Sequence, residues 1–160
     1  MKSLIYGLVA VALVPVASAV EISVSYSDDF AEKLSEDYGE KEGTYLSEAV
    51  SEDLRSALAL AGVKTKVDRV DVVIIDAQPN HPTMEQARQK PGLDMLRSRS
   101  LGGMKLQGTA FDADGNVIGT KEYGWFENDI RDVFGAGTWT DAKRASNRFS
   151  RKLAEDIAGN

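Results

Sequence analysis

An apolar run of the chain is followed by four polar residues: Asp76, Gln78, Asn80 and His81. His81 is the single histidine of the chain. Ligand sites are common at the ends of buried strands in α/β sheets. As a general base, an imidazole needs a nucleophile within hydrogen-bond reach. The chain has no cysteine and no Gly-x-Ser-x-Gly turn, and Pro79 and Pro82 favour a rigid surface turn. We therefore predict a binding role for these four residues and no catalytic residue.

A second group of candidate residues surrounds the last loop of the chain: Trp125, Asp129, Arg131, Trp139 and Asp141. Aromatic side chains mixed with a few charges are typical of a binding pocket or a partner surface. The alternative, which we favour for the two tryptophans, is that they fill the ends of the hydrophobic core.

Residues 112–116, Asp-Ala-Asp-Gly-Asn, resemble the start of a calcium loop. Such a loop requires glycine at its sixth position and glutamate at its twelfth, where this chain has Val117 and Tyr123. With one histidine and no cysteine, the chain also has few of the side chains that usually bind zinc. We therefore predict a hairpin turn at this segment, and no metal or cofactor.

The 160 residues carry a net charge of −6, and an acidic surface repels phosphate backbones and anionic lipid head groups. We therefore expect neither nucleic acid nor a membrane surface as a partner. Met1-Lys2, an apolar stretch over residues 4–16 and Ala17-Ser18-Ala19 predict a secretory signal peptide that is cleaved after Ala19. The apolar stretch is too short for a membrane anchor.

The chain has no cysteine, and together with the short leader this favours the bacterial periplasm over an animal secretory route. The length that follows the leader suits one domain. We therefore predict a signal peptide over residues 1–19 and a single domain over residues 20–160.

Hydrophobic periodicity predicts four strands. Residues 20–26 alternate as a half-buried strand, and residues 70–77 are apolar on both faces, as in a central strand that needs a cover on each side. Asp114-Gly115 predicts the two-residue turn of a hairpin, entered through a flexible or bulged Gly102-Gly103. This turn pairs Phe111 with Ile118 and places three other pairs on the core side: Ala110 with Gly119, Leu106 with Tyr123, and Met104 with Trp125.

Apolar spacings of three and four predict a helix over residues 44–60 with Thr44 as its N-cap, and a closing helix that begins at residues 138–141 with a Thr138–Asp141 capping pattern. Between the central strand and the hairpin, residues 78–100 are long and irregular, with a short capped helix over residues 83–89. The order β-α-β-(α)-β-β-α predicts an α+β two-layer sandwich, in which two main helices cover one face of a mixed, four-stranded sheet.

Several motifs resemble a family of small exported bacterial proteins of unknown function: Asp76-Ala77-Gln78-Pro79-Asn80-x-Pro82-Thr83, Pro91-Gly92-Leu93, Gly102-Gly103, Tyr123-x-Trp125, Asp129-Ile130-Arg131-Asp132 and Thr138-Trp139-Thr140-Asp141-Ala142. The resemblance covers most of the chain after the leader. It implies a periplasmic compartment and carries over no catalytic residue. His81 departs from the family pattern, in which an arginine is expected.

Three functional hypotheses follow. The first is a non-enzymatic periplasmic protein that binds or scaffolds an envelope partner through residues 78–100 and 128–139. The second is a hydrolase that uses carboxylates such as Asp76, Asp129 or Asp132. The third is a homodimer that covers the second face of the sheet.

Overall fold

The computed structural model describes residues 19–159, so the predicted signal peptide up to residue 18 lies outside the described residues. The elements follow one another along the chain as β1 (Glu21–Tyr26), α1 (Asp28–Lys33), a π-helical turn (Leu34–Tyr38), α2 (Glu40–Leu60), β2 (Arg69–Gln78), α3 (Met84–Gln89), β3 (Gly103–Phe111), β4 (Val117–Phe126), a 3₁₀ turn (Ile130–Val133) and α4 (Thr140–Gly159).

The four strands form one mixed sheet in the order β1-β2-β3-β4, in which only the β1–β2 pair is parallel. Helix α2 packs against β1 and α4, and α4 packs against β3 and β4. The two long helices thus form one layer and the sheet forms the other. The predicted α+β two-layer sandwich is confirmed.

Strand β2 lies between β1 and β3, as predicted for a central strand. Its residues Val70, Val72 and Ile74 are buried under the helices, whereas Val73 and Ile75 on the other side are only half-buried. Gln107 and Glu122 are exposed on the neighbouring strands of that second face. The second face is thus more polar than the pattern of β2 alone predicted. The short helix α3 packs against the π-helical turn.

The hairpin confirms the predicted core-side pairs of Leu106 with Tyr123, Met104 with Trp125, and Ala110 with Gly119. The prediction for Phe111 was wrong: it pairs with Val117, because an irregularity in register follows Ala110. The loop is also longer than two residues, since the Asp112 carboxylate accepts hydrogen bonds from the backbone N–H groups of Asp114 and Asn116.

The pKa of Asp112 lies below its ordinary value because its carboxylate accepts hydrogen bonds. The largest contribution comes from the Asn116 side chain, and the backbone N–H groups of the loop add to it. Gly115 adopts a φ of 82°, a backbone conformation that glycine reaches without strain. The segment that resembled a calcium loop is thus a hairpin loop in this structure, closed by its own aspartate.

Helix α2 begins at Glu40, so the prediction of Thr44 as its N-cap was wrong. The first turn of the helix, before Thr44, passes close to Leu34 and Tyr26. Gly43 allows this approach, because a Cβ there would lie 2.8 Å from Leu34 Cδ1 and 3.0 Å from the Tyr26 hydroxyl. Helix α4 has the predicted buried stripe of Ala142, Ala145, Phe149, Leu153 and Ile157. Its basic residues are exposed, as expected: Lys143, Arg144, Arg148, Arg151 and Lys152.

Candidate functional site

Asn80 is fully buried just after β2 and connects three separate parts of the chain. Its Oδ1 accepts a hydrogen bond from the Asp141 backbone N–H at 2.9 Å, and its Nδ2 donates to the Asp141 carboxylate. Nδ2 also lies 3.4 Å from the Ser100 carbonyl oxygen. The Asn80 backbone donates to the Thr138 carbonyl and accepts from the Ser100 N–H. Asn80 therefore fixes the segments that precede β3 and α4.

Asp141 is fully buried in the first turn of α4. Backbone N–H groups at a helix start have no partner within the helix, and Asn80 Oδ1 satisfies one of them from outside. The carboxylate keeps a cation as a further partner, because Arg144 donates to Oδ1 at 2.8 Å. The predicted Thr138–Asp141 capping pattern was wrong. The hydroxyl that accepts a backbone hydrogen bond here is that of Thr140, and the donor is the Gly137 N–H.

His81 follows Asn80 and is only 8% exposed, so the predicted surface turn is in fact a buried one. Its Nδ1 is buried and has no hydrogen-bond partner within residues 19–159. The residue lines a cleft of about 320 Å³ between two loops, together with Met95, Leu96, Arg99, Gly135, Ala136, Gly137 and Thr138. The cleft beside His81 therefore has apolar side chains, Met95 and Leu96, and one basic side chain, Arg99.

The first of these loops contains a compact turn at residues 94–98. The Asp94 carboxylate accepts hydrogen bonds from the backbone N–H groups of Leu96 and Arg97, at 2.8 and 3.0 Å. The Ser98 backbone N–H donates to the Asp94 carbonyl, and the Ser98 hydroxyl accepts from the Asp94 N–H. The turn leaves Leu96 83% exposed and Met95 39% exposed.

The second loop, residues 130–138, presents Phe134 with 78% of its surface exposed. The Arg99 guanidinium carbon lies 4.8 Å from the centre of the Phe134 ring, a cation–π contact between the loops. We call four of the exposed side chains of these loops the two-loop surface: Met95, Leu96, Arg99 and Phe134. It joins an apolar patch to one positive charge.

Beside this surface, a second cleft of about 300 Å³ is lined by Gln78 and Arg99, and Tyr38 closes one side of it. Burial raises the pKa of Tyr38 to about 12, and the Asp76 and Asp37 carboxylates add to the effect. The Tyr38 ring meets Trp139 edge to face, with 5.7 Å between ring centres. Trp139 is itself buried and donates from Nε1 to Glu42 at 2.6 Å.

The raised pKa of Tyr38 predicts a loss of stability in alkali. The unfolded chain releases the phenol proton near pH 10 and the folded chain only near pH 12, so the stability that is present below pH 10 falls as the pH rises through this window. We expect a loss of about 2 to 3 kcal/mol, which Tyr38→Phe removes. Urea denaturation at stepped pH measures the loss. The exposed Tyr45→Phe is the control, and equal alkaline slopes for wild type and Tyr38→Phe would contradict the prediction.

The remaining predicted binding residues are not part of the two-loop surface, although Arg131 belongs to the second loop. Asp76 pairs with Lys33 of α1 at 2.8 Å. Arg131 binds the Asp129 carboxylate through Nε and a terminal nitrogen, which holds the pKa of Asp129 below its ordinary value. Trp125 lies on the core side of the hairpin, where the Arg148 guanidinium carbon is 4.3 Å from its ring centre.

The structure thus brings Gln78, Asn80, His81, Trp139 and Asp141 together at one end of the sheet. Over residues 19–159, no three histidine, aspartate or glutamate side chains lie close enough to hold a metal ion. The sequence analysis named segments 78–100 and 128–139 as a partner surface, but it singled out none of the four side chains Met95, Leu96, Arg99 and Phe134. A signal was present in the Asp94–Ser98 spacing, because aspartate and serine at such spacing close polar turns and leave the apolar residues between them at the tip.

Neither a protein-family model nor a curated protein sequence matches the chain. Among solved structures, it is similar to a protein of Caulobacter crescentus CB15 that is described as a "putative lipoprotein". The two share 14% sequence identity and a TM-score of 0.36, over 86% of this chain and 88% of that one. No helix within the described part of the chain is long and apolar enough to cross a membrane.

Proposed function

We propose that this protein is a non-enzymatic binding or scaffolding protein of the bacterial envelope, exported to the periplasm by its signal peptide, and that it captures its partner on the two-loop surface. The observation that carries the proposal is the exposure of two large apolar side chains, Leu96 at 83% and Phe134 at 78%, on facing loops. The partner is an envelope protein or a second copy of this chain.

Both loops are held in place, which favours binding. The Asp94–Ser98 turn is closed by its own hydrogen bonds, and Asn80 connects to the loops through Ser100 and Thr138. A surface that is ordered before binding loses less conformational entropy when a partner arrives. Aromatic residues and arginine are also enriched in protein–protein interfaces, and here they are Phe134 and Arg99.

The hydrolase alternative gains no specific support from the arrangement of its carboxylates. Asp76 is paired with Lys33 on α1, whereas Asp129 is paired with Arg131 in the last loop. A carboxylate pair that performs acid–base chemistry needs two groups whose environments separate their pKa values within one cleft. The clefts beside the two-loop surface are lined by other residues.

Capture by cross-linking in periplasmic extract tests the proposal, with Leu96→Ser and Phe134→Ser as the disrupting variants. Leu60→Ser is the matched control, because Leu60 is 88% exposed at the end of α2 and belongs to neither loop. We expect the wild type and the control to enrich the same partner, and each loop variant to enrich it about tenfold less, a loss of ~1.4 kcal/mol. Thermal unfolding should be unchanged in all three variants, since exposed positions contribute little stability.

Light scattering at increasing protein concentration separates the two kinds of partner. A mass that rises toward that of a dimer, and does so less in Leu96→Ser, identifies the second copy. If the loop variants and the control capture identical material, the proposed surface is wrong.

A further inference from the structure

We propose that the cleft between the two loops binds the free C-terminal carboxylate of a peptide whose last side chain is apolar. This inference rests on the proposed function and names the chemistry that the two-loop surface recognises. Three features of the cleft carry it, as residues 19–159 define them: an arginine without a counter-ion, a buried histidine nitrogen without a hydrogen-bond partner, and a wall of small residues.

Arg99 is exposed at the edge of the cleft and makes no ion pair with any residue of the described range 19–159. Its contact with the Phe134 ring places the guanidinium group between the loops. A planar guanidinium offers paired donors that match the two oxygens of a carboxylate. In a chain of net charge −6, an arginine without a counter-ion marks a point where an anion is attracted.

His81 provides an independent indication of a polar ligand. The residue lines the cleft and is more than nine-tenths buried, and Nδ1 lacks a hydrogen-bond partner among the residues that the structure describes. Buried polar atoms in folded proteins are nearly always paired, so an orphaned one requires an explanation. Because Nδ1 itself is closed to solvent, a ligand in the cleft pairs with it only when the imidazole ring turns toward the cleft.

The walls of the cleft favour a peptide over a lipid. Gly135, Ala136 and Gly137 have small side chains or none, which allows the backbone of a second chain to approach their own backbone. The volume of about 320 Å³ is near the lower end for ligand pockets, which suits one or two residues of a peptide. Met95 and Leu96 supply the apolar contact for its last side chain. Capture of a terminal carboxylate is a recurring mode of peptide recognition.

Fluorescence anisotropy with two labelled pentapeptides tests the inference on the purified protein. Both peptides end in leucine, one with a free carboxylate and one as the C-terminal amide. We expect the wild type to bind the acid about tenfold more tightly than the amide, and Arg99→Gln to lose this difference. Arg97→Gln should keep it, because Arg97 belongs to the same turn but does not line the cleft.

Equal affinity of the wild type for the acid and the amide overturns the inference, and so does equal behaviour of the Arg97 and Arg99 variants. A different outcome is that the protein binds vesicles that contain an anionic lipid in an Arg99-dependent way, without selectivity for the peptide acid. In that case Arg99 binds a membrane surface, and the inference of a peptide ligand is overturned. If peptide selectivity fails while Leu96→Ser still abolishes partner capture, the proposed function stands and only the inference fails. If selectivity is found while capture is insensitive to Leu96→Ser, the proposed function fails instead.

Discussion

Replacing Asn80 with alanine is expected to lower the free energy of unfolding by about 3 kcal/mol. The change removes the amide that donates to the fully buried Asp141 carboxylate and the oxygen that accepts from the Asp141 N–H. Of the partners within the described part of the chain, Arg144, which is half exposed, then remains to balance the carboxylate. A buried charge that loses a partner retains its desolvation cost, and the unpaired N–H adds to it.

Urea unfolding followed by tryptophan fluorescence measures this loss. Asn116→Ala is the matched control, since Asn116 is an exposed hairpin residue whose Nδ2 donates to the Asp112 carboxylate. We expect the control to lose less than about 1 kcal/mol, because water replaces an exposed hydrogen-bond partner. If both alanine variants are equally stable, Asn80 is not the connection that its contacts indicate.

The Asn80 variant also bears on binding. Its backbone bonds to Thr138 and Ser100 do not depend on the side chain, but the attachment of Asp141 does. The loop before α4 is therefore expected to lose part of its anchorage while the Asp94–Ser98 turn keeps its own hydrogen bonds. Partner capture should fall in Asn80→Ala, and it should fall further in a double variant with Leu96→Ser.

The fold was predictable because its signals are local. The alternation in residues 20–26, the apolar run of β2 and the spacing of Phe149, Leu153 and Ile157 each report one buried face within a short window. The Asp114-Gly115 turn then set most of the hairpin register. Where the predicted bounds were wrong, the cause is a local contact that hydrophobic periodicity does not show. Gly43, for example, is poor in a helix by propensity but is required where α2 passes Leu34 and Tyr26.

The site was only partly predictable because its pairs are distant in sequence. Asn80 and Asp141 were both candidates, yet they were assigned to separate groups, and 61 residues separate them. Their pairing depends on where β2 ends relative to the start of α4, which the order of elements alone does not specify. Leu96 and Phe134 lie within the predicted segments 78–100 and 128–139, but neither was singled out, because an exposed apolar side chain in a loop has no periodicity. Their importance comes from the turn that exposes them and from Arg99, which connects them.

Gly102→Ala is the second large effect that we expect, with a loss of about 2 kcal/mol. Gly102 was predicted to be a flexible or bulged entry to β3, but it is buried, and a Cβ there would lie 2.6 Å from Cγ, Nδ2 and Oδ1 of Asn80. Its φ is not positive, so alanine can adopt the backbone conformation and the cost is steric. The Asn80 amide cannot move aside easily, because Asp141 binds both of its polar atoms.

A double variant tests this cause directly. With Asn80→Ala in place, the space that the amide occupied is empty, so adding Gly102→Ala should cost less than about 0.5 kcal/mol. Gly124→Ala, on the exposed face of β4, is the control for a change from glycine to alanine, since the three atoms nearest to its Cβ would all belong to the flexible Lys105 side chain, at 3.3 Å or more. If Gly102→Ala costs as much in the Asn80→Ala background as in the wild type, the strain arises elsewhere. If the cost disappears there, Gly102 is glycine because Asn80 needs its place beside Asp141.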